Sequence, residues 1–510
     1  MGIGNDGMAK RAMTNTNHNF ALVLDAVCQR QPARVALLTG NGTVCYAELA
    51  ALIDAWAAAL GACGAGPGRC VAVWLPNSPA FVVAVFAALR VGAASAPLGI
   101  LLTAPEVRHR LAIVDAAVLV TTAARAGELG ETGTKVLIVD RSGHGFAAAG
   151  RIVPAPRVAD DAALLVFTSG TTGTAKAAEI SHCGIAWNGQ ALAEGFALSA
   201  ADVQLAAAPL SHVLGMSGVM NATLMTGGAL ALMERFDAAD ALSLMAQTAT
   251  TGVMGAPAMF GALVREARKT TASPPPLRFA HAGGAPLPGE LARAAAETFG
   301  CVVREGYGMS EVGGGIALPP LYREAKPGSV GRAFPGSHLR VVDADTGAAL
   351  PVGGRGEVQV KSPSVMRGYR GDEAGTRAVL DPDGWLFTGD IGYLDADGDL
   401  FLVDRKKDII IRSGYNVYPQ EVEEVILACP GVLEVAVVGV PDQERGEEVV
   451  ALVVPERDDL DPEAVKAFTR ERLAAYKYPR HVVLVKDLPK GPTGKVARRA
   501  IDLATLIARL

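Results

Sequence analysis

The segment from Leu164 to Lys176 reads LLVFTSGTTGTAK, so an apolar run leads directly into glycine and hydroxyl residues and ends on a lysine. Glycines permit positive φ and let successive backbone N–H groups converge on an anion, while hydroxyls and a lysine add donors. This composition after a strand predicts a phosphate-binding loop, with an exposed flexible hairpin as the alternative. It is not a Walker loop, because Gly170 and Gly173 are too close together and Lys176 precedes Ala177.

On both sides of this segment, short apolar runs alternate with longer amphipathic ones. The series includes VALLTG from Val35, RCVAVWLP from Arg69 and SPAFVVAVFAALRVG from Ser78. Such alternation is typical of βαβ units with a parallel sheet. From about Lys326 the short runs alternate with Gly and Asp turns instead, which predicts antiparallel hairpins in a small barrel.

The sequence of 510 residues is long enough for several domains, and it predicts an α/β fold class with two unequal parts. The predicted divisions are a flexible leader, a large N-terminal domain of two α/β subdomains plus a small β-barrel, a hinge, and a small mobile C-terminal α+β domain. The leader covers residues 1–19, and the N-terminal domain covers 20–404, with the barrel at about 326–404. The hinge covers 405–408 and the C-terminal domain 409–510. The charged DRKKD segment between two strand-like runs supplies the hinge.

Composition excludes several classes of protein. A net charge of −5, without a basic block, gives no basis for nucleic-acid binding. The seven cysteines are scattered without a CxxC pair, which favours reduced thiols and a cytoplasmic location. The uncharged stretch from Val203 to Met233 is long enough to cross a bilayer, but Pro209 and several glycines interrupt it. We therefore expect a buried helix-strand unit there and no membrane span, with peripheral association left open.

Six further segments follow the predicted phosphate loop along the chain. They are PLSHVLG from Pro209, HAGGAPL from His281, GYGMSE from Gly306, GWLFTGD from Gly384, DRKKDIIIRSGYNVYPQEVE from Asp404 and PKGPTGK from Pro489. Together with TSGTTGTAK they resemble the adenylate-forming superfamily of acyl-CoA synthetases, luciferases and peptide-synthetase adenylation domains. The resemblance covers nearly the whole chain after the leader, and it implies that a carboxylate is joined to the α-phosphate of ATP with release of pyrophosphate.

The resemblance implies an ATP site built from several motifs. The residues expected over the β- and γ-phosphates are Thr168, Ser169, Gly170, Thr171, Thr172 and Lys176. The residues expected around adenine are Tyr307 on one side and Gly283, Gly284 and Ala285 on the other. Ser310 is expected at the α-phosphate and Glu311 on Mg²⁺, a cation that prefers carboxylate oxygens. Asp390 and Arg405 are expected on the ribose hydroxyls.

Two further residues have implied roles in the chemistry. Pro489, Gly491, Pro492 and Gly494 exclude a regular helix or strand interior, so PKGPTGK predicts a rigid turn that presents Lys495. By resemblance Lys495 bridges the substrate carboxylate and the α-phosphate and offsets the charge that develops there. His212 matches a position between the carboxylate and the thiol tunnel, where we expect a gating or positioning role and not a general base.

Coenzyme A is the thiol that the resemblance implies for the second half-reaction, in which the C-terminal domain rotates. Lys407 matches the hinge position. Gly414 is expected to line the pantetheine tunnel, with the end of a strand as the alternative. Tyr476 and Lys477 offer an aromatic face beside a cation for the nucleotide of coenzyme A.

One departure from the family is that Ala175 and Ala177 flank Lys176, where Pro and Gly are usual.

The acid is expected to bind between two apolar segments, 213–225 and 253–260. The residues proposed to line this pocket are Val213, Met216, Met220 and Val253. No lysine or arginine is present there to pair with a second carboxylate, which disfavours malonate-like and amino-acid substrates. A medium- or long-chain fatty acid is the main expectation. Aromatic acids of the benzoate or cinnamate type are the alternative, because methionine and glycine also line flat slots.

Three other functions remain open at this stage. An adenylate-forming ligase that does not use coenzyme A would share the first half-reaction. A nucleotide hydrolase would release phosphate in place of pyrophosphate, and a noncatalytic nucleotide-binding scaffold would show no carboxylate-dependent exchange. The sequence thus predicts ATP, Mg²⁺ and coenzyme A as cofactors and a small carboxylic acid as partner.

We predict that Lys495→Ala removes adenylate formation but largely spares transfer from a supplied acyl-adenylate to coenzyme A. Loss of one contact to charge in a transition state costs about 3 to 4 kcal/mol of barrier, or a factor of several hundred in rate. The two half-reactions are measured separately, by ATP–pyrophosphate exchange and by thioester formation from the adenylate. An equal loss of both rates would contradict the assigned role.

Overall fold

A computed structural model describes residues 17–40, 42–168, 175–269, 274–413, 415–442, 444–457, 459–490 and 496–507. The chain packs as two compact units. Unit 1 contains residues 1–338 and 360–386, and unit 2 contains residues 339–359 and 387–510. The fold is mixed α/β with a large N-terminal domain and a smaller C-terminal domain, as predicted. The division falls within the predicted barrel region and not at 405–408, whose role as a hinge stays a prediction.

The first half of the chain alternates helices and strands. Its elements are α1 (Ala21–Arg30), β1 (Val35–Thr39), β2 (Gly42–Cys45), α2 (Tyr46–Ala62), β3 (Cys70–Trp74), α3 (Pro79–Arg90), β4 (Ala94–Pro97), α4 (Ala104–Ile113), β5 (Ala116–Thr121), α5 (Ala123–Leu129), β6 (Lys135–Ile138), β7 (Ala162–Thr168), β8 (Lys176–Ser181), α6 (His182–Gly195), β9 (Val203–Ala206), a π-helix (Leu214–Asn221), α7 (Ala222–Thr226), β10 (Ala229–Leu232) and α8 (Ala238–Thr248).

The second half changes from this alternation to hairpins and then returns to it. Its elements are β11 (Gly252–Gly255), α9 (Pro257–Ala267), β12 (Phe279–Gly283), α10 (Gly289–Phe299), β13 (Val303–Met309), a 3₁₀ turn (Ser310–Val312), β14 (Gly314–Leu318), β15 (Arg332–Ala333), β16 (His338–Val342), β17 (Gly356–Lys361), α11 (Glu373–Arg377), β18 (Leu386–Leu394), β19 (Leu400–Arg405), a 3₁₀ turn (Lys406–Asp408), β20 (Ile410–Arg412), β21 (Tyr415–Val417), α12 (Pro419–Leu427), β22 (Val432–Asp442), β23 (Gly446–Pro455), α13 (Pro462–Arg470), β24 (His481–Leu484), a 3₁₀ turn (Arg498–Ala500) and α14 (Leu503–Ile507).

Unit 1 contains two largely parallel sheets, which confirms the predicted βαβ organisation. One has nine strands in the order β15-β14-β13-β12-β11-β9-β10-β1-β2, and the central strands from β13 to β1 are parallel. The other has six strands in the order β6-β5-β3-β4-β7-β8, and only β7 and β8 pair antiparallel. Parallel strands deliver their carboxyl ends to one edge, where α/β proteins place their ligands.

The nine-stranded sheet buries one of its faces against helices α8, α9 and α10. Ala280 and Ala282 of β12 belong to that core together with Phe260 and Phe299. Because side chains alternate along a strand, Phe279 and His281 of β12 point to the opposite face. The π-helix packs over that opposite face, in contact with β9, β11 and β14.

Unit 2 holds the predicted hairpins and a compact α/β sheet. Strands β16 to β19 lie side by side in sequence order, and β18 and β19 are antiparallel partners. The turn between them runs from Asp395 to Asp399, with the Asp395 carboxylate accepting from the N–H groups of Asp397 and Asp399. This is one of the antiparallel hairpins that the Gly and Asp turns after Lys326 predict. Strands β21-β20-β23-β22 form the last sheet, and β24 pairs with β23.

The uncharged stretch at 203–233 folds as the buried unit that its sequence predicts. It forms β9, the π-helix, α7 and β10, with most side chains buried. Gln204 donates to Thr223 at 2.7 Å and Ser217 donates to the carbonyl of Gly313, whereas Gln204 Oε1 and Asn221 Oδ1 are buried without a hydrogen-bond partner among the described residues. Of the helices in the described ranges, none combines the length and the apolar character that crossing a bilayer requires.

A buried charge cluster fixes the first three helices to one another. The guanidinium of Arg90, at the end of α3, is 2% exposed and pairs with Asp25 of α1 and Asp54 of α2. Asp54 also accepts from the Ile152 N–H at 3.0 Å. Removing one member of such a cluster leaves buried charge without a partner, which is far more costly than losing an exposed pair.

We predict that Arg90→Met lowers the free energy of unfolding by about 3 to 5 kcal/mol, because Asp54 loses its cation and Asp25 keeps only the exposed Arg151, 3.8 Å away. The matched control is Arg141→Met, since the Arg141–Glu234 pair is well exposed and such pairs contribute about 1 kcal/mol or less. Urea unfolding followed by fluorescence measures both. Equal stability of the two variants would contradict the role given to Arg90.

Candidate active site

The ends of β12 and β13 bring several predicted nucleotide residues to one edge of the sheet. Gly283, the last residue of β12, is the register partner of Gly306 in β13. Gly284 follows with φ +86° and is exposed, and Ala285 is half-buried. Tyr307 is buried at 8% exposure in β13. The residues predicted on the two sides of adenine, Gly283 to Ala285 and Tyr307, therefore lie on or next to the ends of adjacent strands.

Glu311 is held by a tyrosine that sequence reasoning missed. Ser310 and Glu311 form the 3₁₀ turn directly after β13, and the Tyr369 hydroxyl donates to Glu311 Oε1 at 2.8 Å. The backbone carbonyl of Glu311 accepts from the Met366 N–H at 2.8 Å. Burial, followed by the Glu311 charge, raises the pKa of the Tyr369 phenol, so it stays protonated and remains a donor.

The Glu311 carboxylate fits the predicted magnesium ion. A carboxylate oxygen is the ligand type that Mg²⁺ prefers. Among the described residues, Glu311 Oε1 is bonded to Tyr369 and Oε2 has no hydrogen-bond partner. One oxygen is thus held in place while the other is available to a metal, an arrangement in which an outer hydrogen bond orients the ligand.

Lys176 lies against the same tyrosine. Thr168 and Lys176 are register partners where β7 and β8 meet, so the two ends of the predicted phosphate loop are adjacent. Lys176 Nζ is 2.7 Å from Asp372 Oδ2 and 4.9 Å from the centre of the Tyr369 ring. The hydrogen bonds from Lys176 and from the Gly375 N–H lower the pKa of Asp372. Ser169, Gly170, Thr171 and Thr172 of the predicted loop lie outside the described residues.

The predicted acyl pocket lies on the face of the sheet that the π-helix covers. Val213, Met216 and Met220 are all buried, just before or within that helix. Val253 is not brought together with them, because it belongs to the core cluster on the other face of the sheet. Its neighbour Met254 lies on the π-helix face, and a Cβ at Gly218 would be 3.1 Å from Met254 Sδ.

A flat floor of glycine and one histidine completes this face. Met254 of β11 is the register partner of His281 in β12. A Cβ at Gly283 would be 3.1 Å from His281 Nε2 and 3.6 Å from Leu214 Cδ1, so the π-helix and the floor approach closely there. A Cβ at Gly306 would be only 2.5 Å from His281 Cε1. Glycine is therefore required where the imidazole lies.

His212 precedes the π-helix and is half-buried. Its Nδ1 accepts from the Leu214 N–H at 3.4 Å, and its backbone carbonyl accepts from the Met216 N–H at 2.8 Å. These contacts place His212 at the start of the segment that covers the floor. They fit the predicted positioning role, which stays a prediction.

Unit 2 holds the predicted ribose pair. Asp390 in β18 and Arg405 in β19 are register partners, and Arg405 Nε lies 3.0 Å from Asp390 Oδ1. The Asp390 side chain is 8% exposed and the Arg405 side chain 48%. The structure therefore brings these two residues together, with the cation on the open side. Lys407 is exposed in the 3₁₀ turn that follows, within the predicted hinge.

The predicted coenzyme A residues of unit 2 already have partners within the chain. Lys477 Nζ is 2.6 Å and 2.8 Å from the two carboxylate oxygens of Glu421. The ring of Tyr476 stacks on Tyr415 with their centres 4.7 Å apart. Gly414 and the predicted catalytic Lys495 lie outside the described residues. The assignment of Tyr476 and Lys477 to coenzyme A stays a prediction.

Comparison with known proteins assigns this geometry to a family. The family model described as AMP-binding enzyme matches residues 24–370, and the model described as AMP-binding enzyme C-terminal domain matches residues 421–495. The chain is 36% identical to a feruloyl-CoA synthase of Amycolatopsis sp., over 92% of this chain and 95% of that protein. It is 34% identical to an indoleacetate–CoA ligase of Aromatoleum aromaticum, over 94% and 96%. The ATP-bound crystal structure of MatB from Rhodopseudomonas palustris is similar with a TM-score of 0.89 and 32% identity, covering 95% of this chain and 98% of that one.

We predict that Tyr369→Phe raises the Mg²⁺ concentration needed for half-maximal ATP–pyrophosphate exchange by about tenfold, because outer hydrogen bonds to a metal ligand contribute a factor of that order to metal affinity. The matched control is Tyr322→Phe, since Tyr322 is 81% exposed. An unchanged Mg²⁺ requirement in Tyr369→Phe would show that the hydrogen bond to Glu311 does not position a metal ligand.

Proposed function

The chain belongs to the AMP-binding enzyme family and is an ATP-dependent acid–CoA ligase, and we propose that its acid substrate is an aromatic carboxylic acid. Enzymes of this class use ATP, Mg²⁺ and coenzyme A. They form an acyl-adenylate with release of pyrophosphate and then an acyl-CoA thioester with release of AMP. The medium- or long-chain fatty acid expected from the sequence is not confirmed, and the aromatic alternative has the better support.

The observation that carries this proposal is the shape of the sheet face under the π-helix. At the strand ends Gly283 and Gly306 contribute no side chains to this face, and the edge of the His281 imidazole reaches both positions. Further in, it is filled by rings: His281 contacts Phe196 with ring centres 5.2 Å apart, and Phe196 lies 5.4 Å from Phe279. A Cβ at Gly252 would lie within the Phe279 ring, 1.9 Å from one carbon.

This shape favours a short, flat group over a long chain. Gly283 and His281 are two residues apart on β12, which is about 6.6 Å along a parallel strand. A planar ring lying on the glycines meets the edge of the His281 imidazole within this distance, whereas a long alkyl chain has to pass the rings of His281 and Phe279. Two of the similar proteins, a feruloyl-CoA synthase and an indoleacetate–CoA ligase, are named for aromatic acids, which supports the same substrate class.

The residues of unit 1 have complementary roles in the proposed first half-reaction. Glu311, positioned by Tyr369, would hold Mg²⁺, which supplies positive charge to the phosphates when it is bound. Lys176 adds a cation at the end of the phosphate loop, and its pairing with Asp372 orients it. Phosphoryl chemistry of this type depends mainly on positioning and charge stabilisation, which is what these side chains provide.

The remaining predicted residues complete the proposal. Asp390 and Arg405 would bind the ribose, Lys495 would bridge carboxylate and α-phosphate, and Lys407 would be the hinge for thioester formation. We also propose a cytosolic location, which is supported by the free thiols of the cysteines.

We predict that aromatic acids support ATP–pyrophosphate exchange with a kcat/KM at least about tenfold above that of fatty acids, because a ring fits the glycine floor and a long chain does not. The panel contains benzoate, cinnamate, indoleacetate and their hydroxylated forms beside octanoate and palmitate. Thioester formation with coenzyme A is then measured for each active acid. Exchange with fatty acids alone would reject the aromatic proposal, and exchange without thioester would indicate a ligase that does not use coenzyme A.

A further inference from the structure

His281 is a buried polar side chain on the floor of the proposed acid pocket. It is 6% exposed and lies between Met254 of β11 and Gly306 of β13. Its other neighbours are apolar, with Phe196 edge-on to the imidazole and Leu214 above Gly283. A buried imidazole in such surroundings requires an explanation, because an unsatisfied polar atom costs free energy.

One nitrogen of His281 has a partner that determines its tautomer. Nδ1 is 3.1 Å from the backbone carbonyl oxygen of Arg304. A carbonyl oxygen can only accept, so Nδ1 must carry the proton and donate it. Burial lowers the pKa of His281 to about 4, against the Arg304 hydrogen bond that raises it, so the ring is neutral near pH 7. Nε2 is consequently a lone-pair acceptor.

That acceptor is not used by the described part of the chain. Within the part of the chain that the structure describes, Nε2 of His281 has no hydrogen-bond partner. It also differs from Nε2 of His182, which is completely enclosed and unsatisfied. The direction in which Nε2 points is given by Gly283, where a Cβ would be 3.1 Å from this nitrogen. Nε2 thus faces the space that the missing side chain of Gly283 leaves.

We propose that His281 Nε2 accepts a hydrogen bond from a donor on the ring of the acid substrate, so that the enzyme selects hydroxylated aromatic or indolic acids. The inference rests on the proposed function and narrows its substrate class. A phenolic hydroxyl and an indole N–H present the same chemistry, a single donor on a flat ring. A ring without a hydrogen-bond donor leaves Nε2 without a partner. This loss of a hydrogen bond is the source of the proposed selectivity.

The position of His281 along β12 agrees with this role. The strand ends at Gly283, the first of the residues predicted to lie beside adenine. The carboxylate of the acid must react near that end. His281 is one pleat further in, about 6.6 Å by the rise of a parallel strand. A ring that reaches inward from the strand end therefore directs its far edge toward the imidazole.

Two substitutions of His281 test its ring nitrogens separately. Nδ1 bonds to the Arg304 carbonyl, and Nε2 is the nitrogen that we propose bonds to the substrate. His281→Asn keeps a donor where Nδ1 meets the Arg304 carbonyl but has no atom at the position of Nε2. His281→Gln places an amide at the position of Nε2 and can offer its oxygen to a ring donor. Neither change adds volume beside Gly306, where the imidazole is already close. Each purified variant is checked by its thermal unfolding midpoint.

The experiment measures kcat/KM in ATP–pyrophosphate exchange for matched pairs of acids. The first set compares 2-, 3- and 4-hydroxycinnamate with cinnamate, and the second compares indoleacetate with its N-methyl form. The ratio within a pair cancels any general loss of activity. We expect the native enzyme to prefer the donor-bearing acid of at least one pair by about tenfold or more, a ratio near one in His281→Asn, and partial recovery in His281→Gln.

The outcomes separate this inference from the proposed function. If aromatic acids react but every native ratio is near one, or if His281→Asn keeps the native ratio, the role of His281 is wrong and the aromatic ligase stands. If no aromatic acid reacts, both are wrong. Preference for the hydroxylated acids alone identifies a phenol as the donor, and preference for indoleacetate alone identifies an indole N–H.

Discussion

The proposed pocket depends on one steric constraint, the absence of side chains at Gly283 and Gly306 on adjacent parallel strands. A Cβ at Gly306 would be 2.5 Å from His281, so the imidazole can occupy the sheet face only because that position is glycine. The two glycines also keep this part of the sheet face flat under the π-helix. The parallel register of β12 and β13 therefore connects the fold directly to the kind of acid that we propose.

Tyr369 connects the proposed metal ligand, Glu311, to the end of the predicted phosphate loop. Tyr369 donates to Glu311 with its hydroxyl, and its ring lies under the ammonium of Lys176. Asp372, three residues later, pairs with that lysine. One short segment thus orients both the carboxylate that would hold Mg²⁺ and the cation at the end of the loop, so we expect changes in Tyr369 to affect both charges.

Much of the fold followed from the sequence, whereas the details of the site did not. Alternating apolar runs predicted the parallel sheets, and the motifs gave Glu311 and Tyr307 roles at the nucleotide without giving their positions in and just after β13. Val253 was assigned to the pocket because a four-residue apolar strand does not reveal which face a ligand meets, and it lies in the opposite core. Tyr369 is 58 residues from Glu311, so only the folded chain pairs them. The fatty-acid expectation counted apolar residues without knowing that His281 and Phe279 fill the inner face.

The most direct test is a crystal structure of the enzyme with a non-hydrolysable adenylate analogue of 4-hydroxycinnamate. We predict that the ring lies on Gly283 and Gly306 beneath the π-helix, with its hydroxyl within hydrogen-bond distance of His281 Nε2. An acyl group bound away from this floor, or a ring whose hydroxyl points away from His281, would contradict the proposed recognition.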